Sequence, residues 1–419
     1  MFPVLYNAVL RVAQRLLPIV TPFNDKVRKW VEGRANWANQ LKNQLAHNAS
    51  PVAWFHAASL GEFEQGRPVI EAFRAQYPTH KILLTFFSPS GYEVRKNYEG
   101  ADYIIYLPAD TPANARQFVT IVKPEIAFFI KYEFWYNYLR ELKAAQIPII
   151  LFSAIFRQEQ LFFKPYGSIS QFYRSMLLAF DTILVQNEES VDLLKHVGVN
   201  HVILAGDTRF DRVAQVAAAR KDISIARIFK NDKPLLVVGS AWPEDMAVLI
   251  PFLNTFDEPL KVIIAPHEIH GAEIEHWRKQ LTKPSTRFSQ TNETDVSQAD
   301  VLFIDNIGLL SSLYQYGEFA FIGGAFKQGL HNILEAATFG MPLFFGPYYN
   351  KFQEAIDLVN EGAAFSVGSA GDFITTFADQ YANPRKAATV SRDYVLRNIG
   401  ATAKVMNEVN AYTLWNKTA

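Results

Sequence analysis

Cysteine is absent from the 419 residues. Disulfides, thiolate nucleophiles and Cys-ligated zinc are therefore excluded. Net charge is absent too, because 41 basic and 41 acidic residues cancel to +0. No overall field draws the chain toward nucleic acid or an acidic partner, so any such preference is local. The apolar start, MFPVLYNAVLRVAQRLLPIVTPF, is interrupted by Arg11, Arg15 and three prolines, which makes it a poor spanning helix. It also lacks the charged start and small-residue cleavage site of a signal peptide. Neither GxxxxGK[ST] nor GxGxxG occurs, and there is no Asp-x-Asp pair to hold a metal-bound diphosphate. What is present is apolar: 49% hydrophobic and 14% aromatic residues, enough for a large core and more than one domain.

Helical spacing gives the N-terminal segment, 1–48, a function class. Leu5, Ala8, Val9, Val12 and Leu16 share one helical face, and Asn7, Arg11, Gln14 and Arg15 the other. Lys26, Arg28, Lys29, Arg34 and Lys42 follow, opposed only by Asp25 and Glu32. A basic amphipathic helix fits a membrane-surface anchor, and docking on the protein's own core is the alternative.

After residue 50, short apolar runs alternate with helical patterns. The first half predicts strands at Val52–His56, Lys81–Phe87, Tyr103–Leu107, Ile126–Ile130, Ile147–Ser153, Thr182–Gln186 and His201–Ala205. After "PLLVVGSAW" come Lys261–Ala265, Val301–Asp305, Phe319–Ile322, Leu343–Phe345 and Ala364–Val367. Apolar residues on both faces read as buried parallel strands, hence a doubly wound α/β architecture. The expected organisation is two Rossmann-like domains, 49–206 and 233–390, facing a cleft. A strand-poor linker, 207–232, joins them. A helical pattern from about Ala387 to Tyr412 gives a C-terminal helical segment, 391–419, returning toward the N-terminal domain. Ligands of such sheets bind beyond the C-terminal strand ends.

Four such ends carry candidate chemistry. In "HAASLGEFEQGRP", Ser59-x-x-Glu62 fits a capping box. It also fits a base at the cleft: Gly61 permits close approach, and Pro68 offers a later helix start. Its neighbour Glu64 reads as a solvated acid. Lys131 and Glu133 follow the strand Ile126–Ile130, either as acceptor contacts or as acid at a helix start. Gly239-Ser240 and then His267 and His270 follow strands of the second half. A turn of amides suits a phosphate, whereas two histidines without a third ligand argue against a metal. Gly323-Gly324, with Gly329 before Asn332-x-x-Glu335, forms a glycine-rich loop suited to phosphate and ribose.

These pieces resemble the 3-deoxy-D-manno-octulosonic acid (Kdo) transferases, inverting glycosyltransferases of the GT-B fold, from about Trp54 onward. "FHAASLGEFEQGRPVI" is similar to the family's His-Ala-x-Ser-x-Gly-Glu signature. "AGDTRFDR", "GSAWPED" and "GGAFKQGLHNILEAATFGMPLFFGPYYNKF" resemble further family blocks. The resemblance implies transfer of Kdo from CMP-Kdo to a lipid A precursor at the cytoplasmic face of the inner membrane, without metal or other cofactor. It implies Glu62 as base, with Ser59, Gly61, Lys131 and Glu133 toward the acceptor. It implies Arg209, Gly239, Ser240, Pro266, His267, Gly308, Gly323, Gly324, His331, Asn332 and Glu335 toward the donor. Two departures stand out. Lys131 replaces the first acid of the family's Glu-Thr-Glu-x-Trp-Pro, and His267 replaces the arginine of its Pro-Arg-His. The other reading in the same fold is an enzyme of UDP-sugars, a glycosyltransferase or epimerase. A scaffold with a degenerate cleft is the non-enzymatic one.

Overall fold

A computed structural model of the chain describes residues 2–165, 167–327 and 329–413. Two compact units emerge, Met1–Arg212 with Gly400–Ala419, and Val213–Ile399.

The first unit is built on β1 (Val52–Ala57), β2 (Lys81–Phe86), β3 (Tyr103–Tyr106), β4 (Ile126–Ile130), β5 (Ile149–Ala154), β6 (Thr182–Val185) and β7 (Val202–Leu204). They form one seven-stranded sheet in the order β3-β2-β1-β4-β5-β6-β7. Its pairs are parallel. β1, β4 and β5 are buried along their whole length. This is why they appear in the sequence as unbroken apolar runs rather than alternating ones. One core layer centres on Trp54, Phe118, Phe129 and Tyr138, the other on Phe55, Phe63, Phe73 and Phe128.

The second unit repeats the plan with β8 (Leu235–Ala241), β9 (Lys261–Pro266), β10 (Ser285–Arg287), β11 (Val301–Phe303), β12 (Phe319–Ile322), β13 (Leu343–Phe345) and β14 (Ala364–Ser366). Its order is β10-β11-β9-β8-β12-β13-β14, again in parallel pairs. In each sheet one pair of neighbours marks a topological switch point, β1/β4 and β8/β12. At such points the chain leaves adjacent strands in opposite directions and opens a crevice at their C-terminal ends. Every candidate loop except those at Arg209 and Gly308 follows one of these strands or β9.

The segment expected as a strand-poor linker carries the helices Thr208–Ala218 and Ser224–Lys230. The C-terminal pattern is two helices, Arg385–Asn398 and Ala401–Thr413, parted at Gly400 with φ +118°. A positive φ of this size suits glycine and stops the first helix. The second helix buries Val405, Met406 and Val409 in the first unit's core. Asp211 meets the break, accepting from the backbone N–H of Gly400 at 2.7 Å and of Thr402 at 2.8 Å.

The N-terminal helix spans Phe2–Val20. Its outward face is apolar: Leu5, Val9, Val12, Leu16 and Ile19 are each more than half exposed. The opposite side docks, with Phe2 and Tyr6 against the core. The basic run that follows is less free than its composition suggests. Arg28 and Lys29 both pair with Asp25. Arg34 is buried and donates to the carbonyls of Leu107 (2.7 Å), Trp30 (2.9 Å) and Phe87 (2.7 Å). Its guanidinium lies 3.9 Å from the Trp30 ring centre, so it braces the fold rather than facing a membrane. No helix among the described residues is long and apolar enough to cross a membrane.

Candidate active site

At the first switch point, the sequence AASLGE turns from β1 into the helix Leu60–Gln76. The capping box forms: Ser59 N–H donates to Glu62 Oε2 at 3.1 Å, and Glu62 N–H reaches Ser59 Oγ at 3.5 Å. The helix runs straight through Pro68, so Ser59–Arg67 is not the loop expected before a proline start. Gly61 lies exposed in the first turn, and a Cβ there would meet nothing within 4 Å. The glycine therefore leaves open space beside Glu62. Glu62 itself is half-buried. Burial pushes its carboxyl up from the ordinary value, the charge of Glu133 pushes it further, and His56 opposes both. Cap and base are thus compatible, because the cap orients a carboxylate made more basic by its surroundings.

The charges that act on Glu62, those of His56 and Glu133, belong to a hydrogen-bonded chain that links residues far apart in sequence. The Trp54 indole N–H donates to Thr85 Oγ1 at 2.8 Å. Indole only donates, so the Thr85 hydroxyl proton is free for His56 Nδ1 at 2.8 Å or the Phe55 carbonyl at 3.4 Å, and Nδ1 also lies 3.2 Å from the Thr85 carbonyl. His56 Nε2 faces Glu133 Oε2 at 3.0 Å, and Trp135 Nε1 donates to the same oxygen at 2.6 Å. Glu133 is 6% exposed, and His56 is fully buried. A carboxyl this deep needs such partners. Glu133, expected as an acceptor contact, is held by His56 and Trp135, and its charge acts on Glu62. Lys131 begins this loop at φ +69°, a left-handed backbone that costs a non-glycine residue about 1–2 kcal/mol. Strain of this kind gathers at functional sites.

One expectation about neighbours changes. Glu64 is not a solvated acid: Arg95 (2.5 Å), Arg212 (3.5 Å) and Arg67 (3.9 Å) converge on it. Arg209 falls within the first unit and pairs with the buried Asp207 at 2.8 Å.

At the second switch point, β12 ends in Gly323-Gly324 against β8. A Cβ on Gly323 would strike the Ser240 carbonyl, and one on Gly324 would strike the Gly329 carbonyl. Ser240 holds φ +57° at the strand irregularity between Gly239 and Ala241. Buried Asp245 links the two strand ends, accepting from the N–H of Trp242 at 2.8 Å and of Gly324 at 2.9 Å. Its carboxyl is pushed up to about 6 by burial, against those two hydrogen bonds.

Three rings stack here. Trp242 lies 4.2 Å from His267, and His267 lies 4.5 Å from His331, between ring centres. Trp242 Nε1 donates to His331 Nε2 at 2.8 Å, so His331 carries its proton on Nδ1. Burial, with His267 beside it, pushes His331 down to about 4, which keeps it neutral at pH 7. Pro266 ends β9 just before His267. Glu335 accepts from Ser311 Oγ at 2.5 Å and from Asn332 Nδ2 at 3.0 Å. Its helix is only Leu334–Ala337, too short for a strong dipole, so the loop's own polar groups carry any anion binding. Gly308 lies in an exposed loop at φ +88° with nothing within 4 Å of a Cβ. His270 pairs with Glu268 at the surface, and among the described residues no cluster could hold a metal ion.

Two all-parallel seven-stranded units with candidate residues at their switch points define a GT-B-type α/β protein. The fold is shared with UDP-GlcNAc 2-epimerase from Neisseria meningitidis bound to UDP-GlcNAc (TM-score 0.59, 15% identity, 85% of this chain and 98% of that one). Residues 32–212 match the family model for 3-deoxy-D-manno-octulosonic-acid transferase (kdotransferase). The chain is 28% identical over 338 residues to the 3-deoxy-D-manno-octulosonic acid transferase of Aquifex aeolicus, covering 79% of this chain and 86% of the relative. It is 27% identical over 332 residues to that of Chlamydophila psittaci, covering 77% and 76%. Over most of its length the chain is similar to 3-deoxy-D-manno-octulosonic acid transferases.

Proposed function

We propose that the protein transfers Kdo from CMP-Kdo to a lipid A precursor, with Glu62 as general base. The observation that carries this is Glu62 at the β1/β4 switch point, with its basicity raised by burial and by Glu133. Glu62 takes the proton of the acceptor hydroxyl as its oxygen attacks the anomeric carbon. The bond from that carbon to the phosphate oxygen breaks, CMP departs with the electron pair, and the configuration inverts. A single phosphodiester leaving group requires one anion site and no metal-bound diphosphate. The Gly239–Ser240 turn, His267, His331 and the Gly323–Glu335 loop supply hydrogen-bond donors for the nucleotide in the second unit. The helix Phe2–Val20 rests on the membrane surface through its outward apolar face. That matches an acylated acceptor.

Product analysis with CMP-Kdo and a lipid A precursor tests the reaction. Glu62→Gln is expected to lower kcat by about 100-fold or more with CMP-Kdo affinity little changed. Near-normal turnover would remove Glu62 from the role of base. Thermal shift against a panel of CMP and UDP nucleotides tests the donor, since ligands of the native state raise Tm. A preference for UDP would favour the UDP-sugar reading instead.

A further inference from the structure

The inward side of the helix Phe2–Val20 does more than bury apolar surface. Tyr6 Oη donates to Asp110 Oδ2 at 2.7 Å. The same carboxylate accepts the backbone N–H groups of Asn137 (3.1 Å) and Tyr138 (3.0 Å). Asn137 Nδ2 donates in turn to Asn7 Oδ1 at 2.8 Å and to the Asp110 carbonyl at 2.5 Å. The Tyr6 ring packs edge-on to Tyr136 at 5.9 Å. Tyr6 and Asn7 therefore grip the first turn of the helix Tyr136–Ala144. That turn directly follows Glu133 and Trp135, which are hydrogen-bonded to each other.

Apolar packing alone would dock a helix at less cost. Asp110 is fully buried, and burial pushes its carboxyl up against the three donors that meet it. A buried carboxylate is tolerated only where its donors align, so it selects one register of the helix against the sheet. The selected register fixes the segment that carries Glu133.

We infer that Tyr6, Asn7 and Asp110 are positioning residues for the Glu62–Glu133 site, and that through them seating the N-terminal helix on an anionic lipid surface holds the Lys131–Trp135 segment in its working geometry. This rests on the membrane-surface reading above. Coupling follows from shared hydrogen bonds: whatever orders residues 2–20 also orders the amides of Asn137 and Tyr138.

Hydrogen exchange on the full chain tests it, with and without vesicles of phosphatidylglycerol and phosphatidylethanolamine. In the wild type, vesicles are expected to slow exchange across 131–139 by about tenfold. Tyr6→Phe and Asn7→Ala are expected to float with vesicles yet lose that slowing. Their kcat falls while the KM for CMP-Kdo stays unchanged. A Val12→Ser, Leu16→Ser double variant on the outward face is expected to lose flotation and the slowing across 131–139, while on detergent-dispersed acceptor, where neither protein is seated, its turnover equals that of the wild type. If Tyr6→Phe fails to fold, Asn7→Ala decides, because it leaves the Asp110 contacts in place. Vesicle binding without any change across 131–139 would overturn the inference and leave the membrane reading standing, as would variants that respond like the wild type. Failure of the wild type to float would overturn both.

Discussion

Gly61→Ala separates what the opening turn owes to folding from what it owes to chemistry. Gly61 is the second residue of the helix Leu60–Gln76, and it is not among the positive-φ glycines. A methyl group there meets nothing within 4 Å, so no clash opposes the change. Alanine in place of glycine at a compatible helical site stabilises by about 0.4–1 kcal/mol, largely by restricting the unfolded chain. For a unit of this size that is a rise in Tm of about 1–4 °C. The activity should move the other way. If the open space beside Glu62 receives the acceptor hydroxyl, a methyl group displaces it by about 1 Å. Displacements of that size cost up to about 100-fold. Differential scanning calorimetry and steady-state transfer on one preparation give both numbers. A variant that is more stable and fully active would show that the space beside Gly61 is not where the acceptor binds. A less stable variant would refute the packing argument itself.

Three further outcomes follow from the geometry. Glu133→Gln removes the anion that raises Glu62, so the acidic limb of the kcat/KM profile should move to lower pH; an unmoved limb would detach Glu133 from Glu62. Asp245 has a folded pKa raised to about 6, so its contribution favours the fold at low pH and is lost as pH rises through about 6. The Tm difference between wild type and Asp245→Asn should therefore fall between pH 4 and 7, and a constant difference would contradict the shift. Gly324→Ala combines φ +93° with a backbone clash, about 2–5 kcal/mol in all, whereas Gly308→Ala at φ +88° has open space and should cost only about 1–2 kcal/mol. Equal losses in thermal melts would mean that the Gly324–Gly329 contact does not matter.

Much of the fold was legible because both sheets are parallel and buried. Ile126–Ile130, Phe319–Ile322 and Leu343–Phe345 keep the bounds their apolar runs suggest. β10 was missed because Ser-Thr-Arg at a sheet edge carries no apolar signal. Pro68 misled because a mid-helix proline normally breaks the helix, and here the burial of Val69, Ile70 and Phe73 carries the helix past it. The loops bearing Glu62, Glu133 and Gly323–Glu335 could be found from their positions after strands. Their partners could not. His56 and Glu133 are 77 positions apart, Trp242 and His331 are 89, and only the β1/β4 and β8/β12 adjacencies bring them together. The outward face of the N-terminal helix was legible from spacing, whereas Tyr6 and Asn7 showed no period that marked them as contacts to Asp110 and Asn137.

The helix Ala401–Thr413 has a consequence for the order of assembly. Val405 and Val409 are wholly enclosed among Phe55, Phe73 and Phe128, which are translated more than 270 positions earlier. During synthesis the first unit emerges with a side of its core uncovered and waits, aggregation-prone, while the whole second unit is made. Shortening the chain after Ile399 would therefore injure the distant N-terminal unit more than the adjacent one. The first unit's core closes only after the residues of the second have been made.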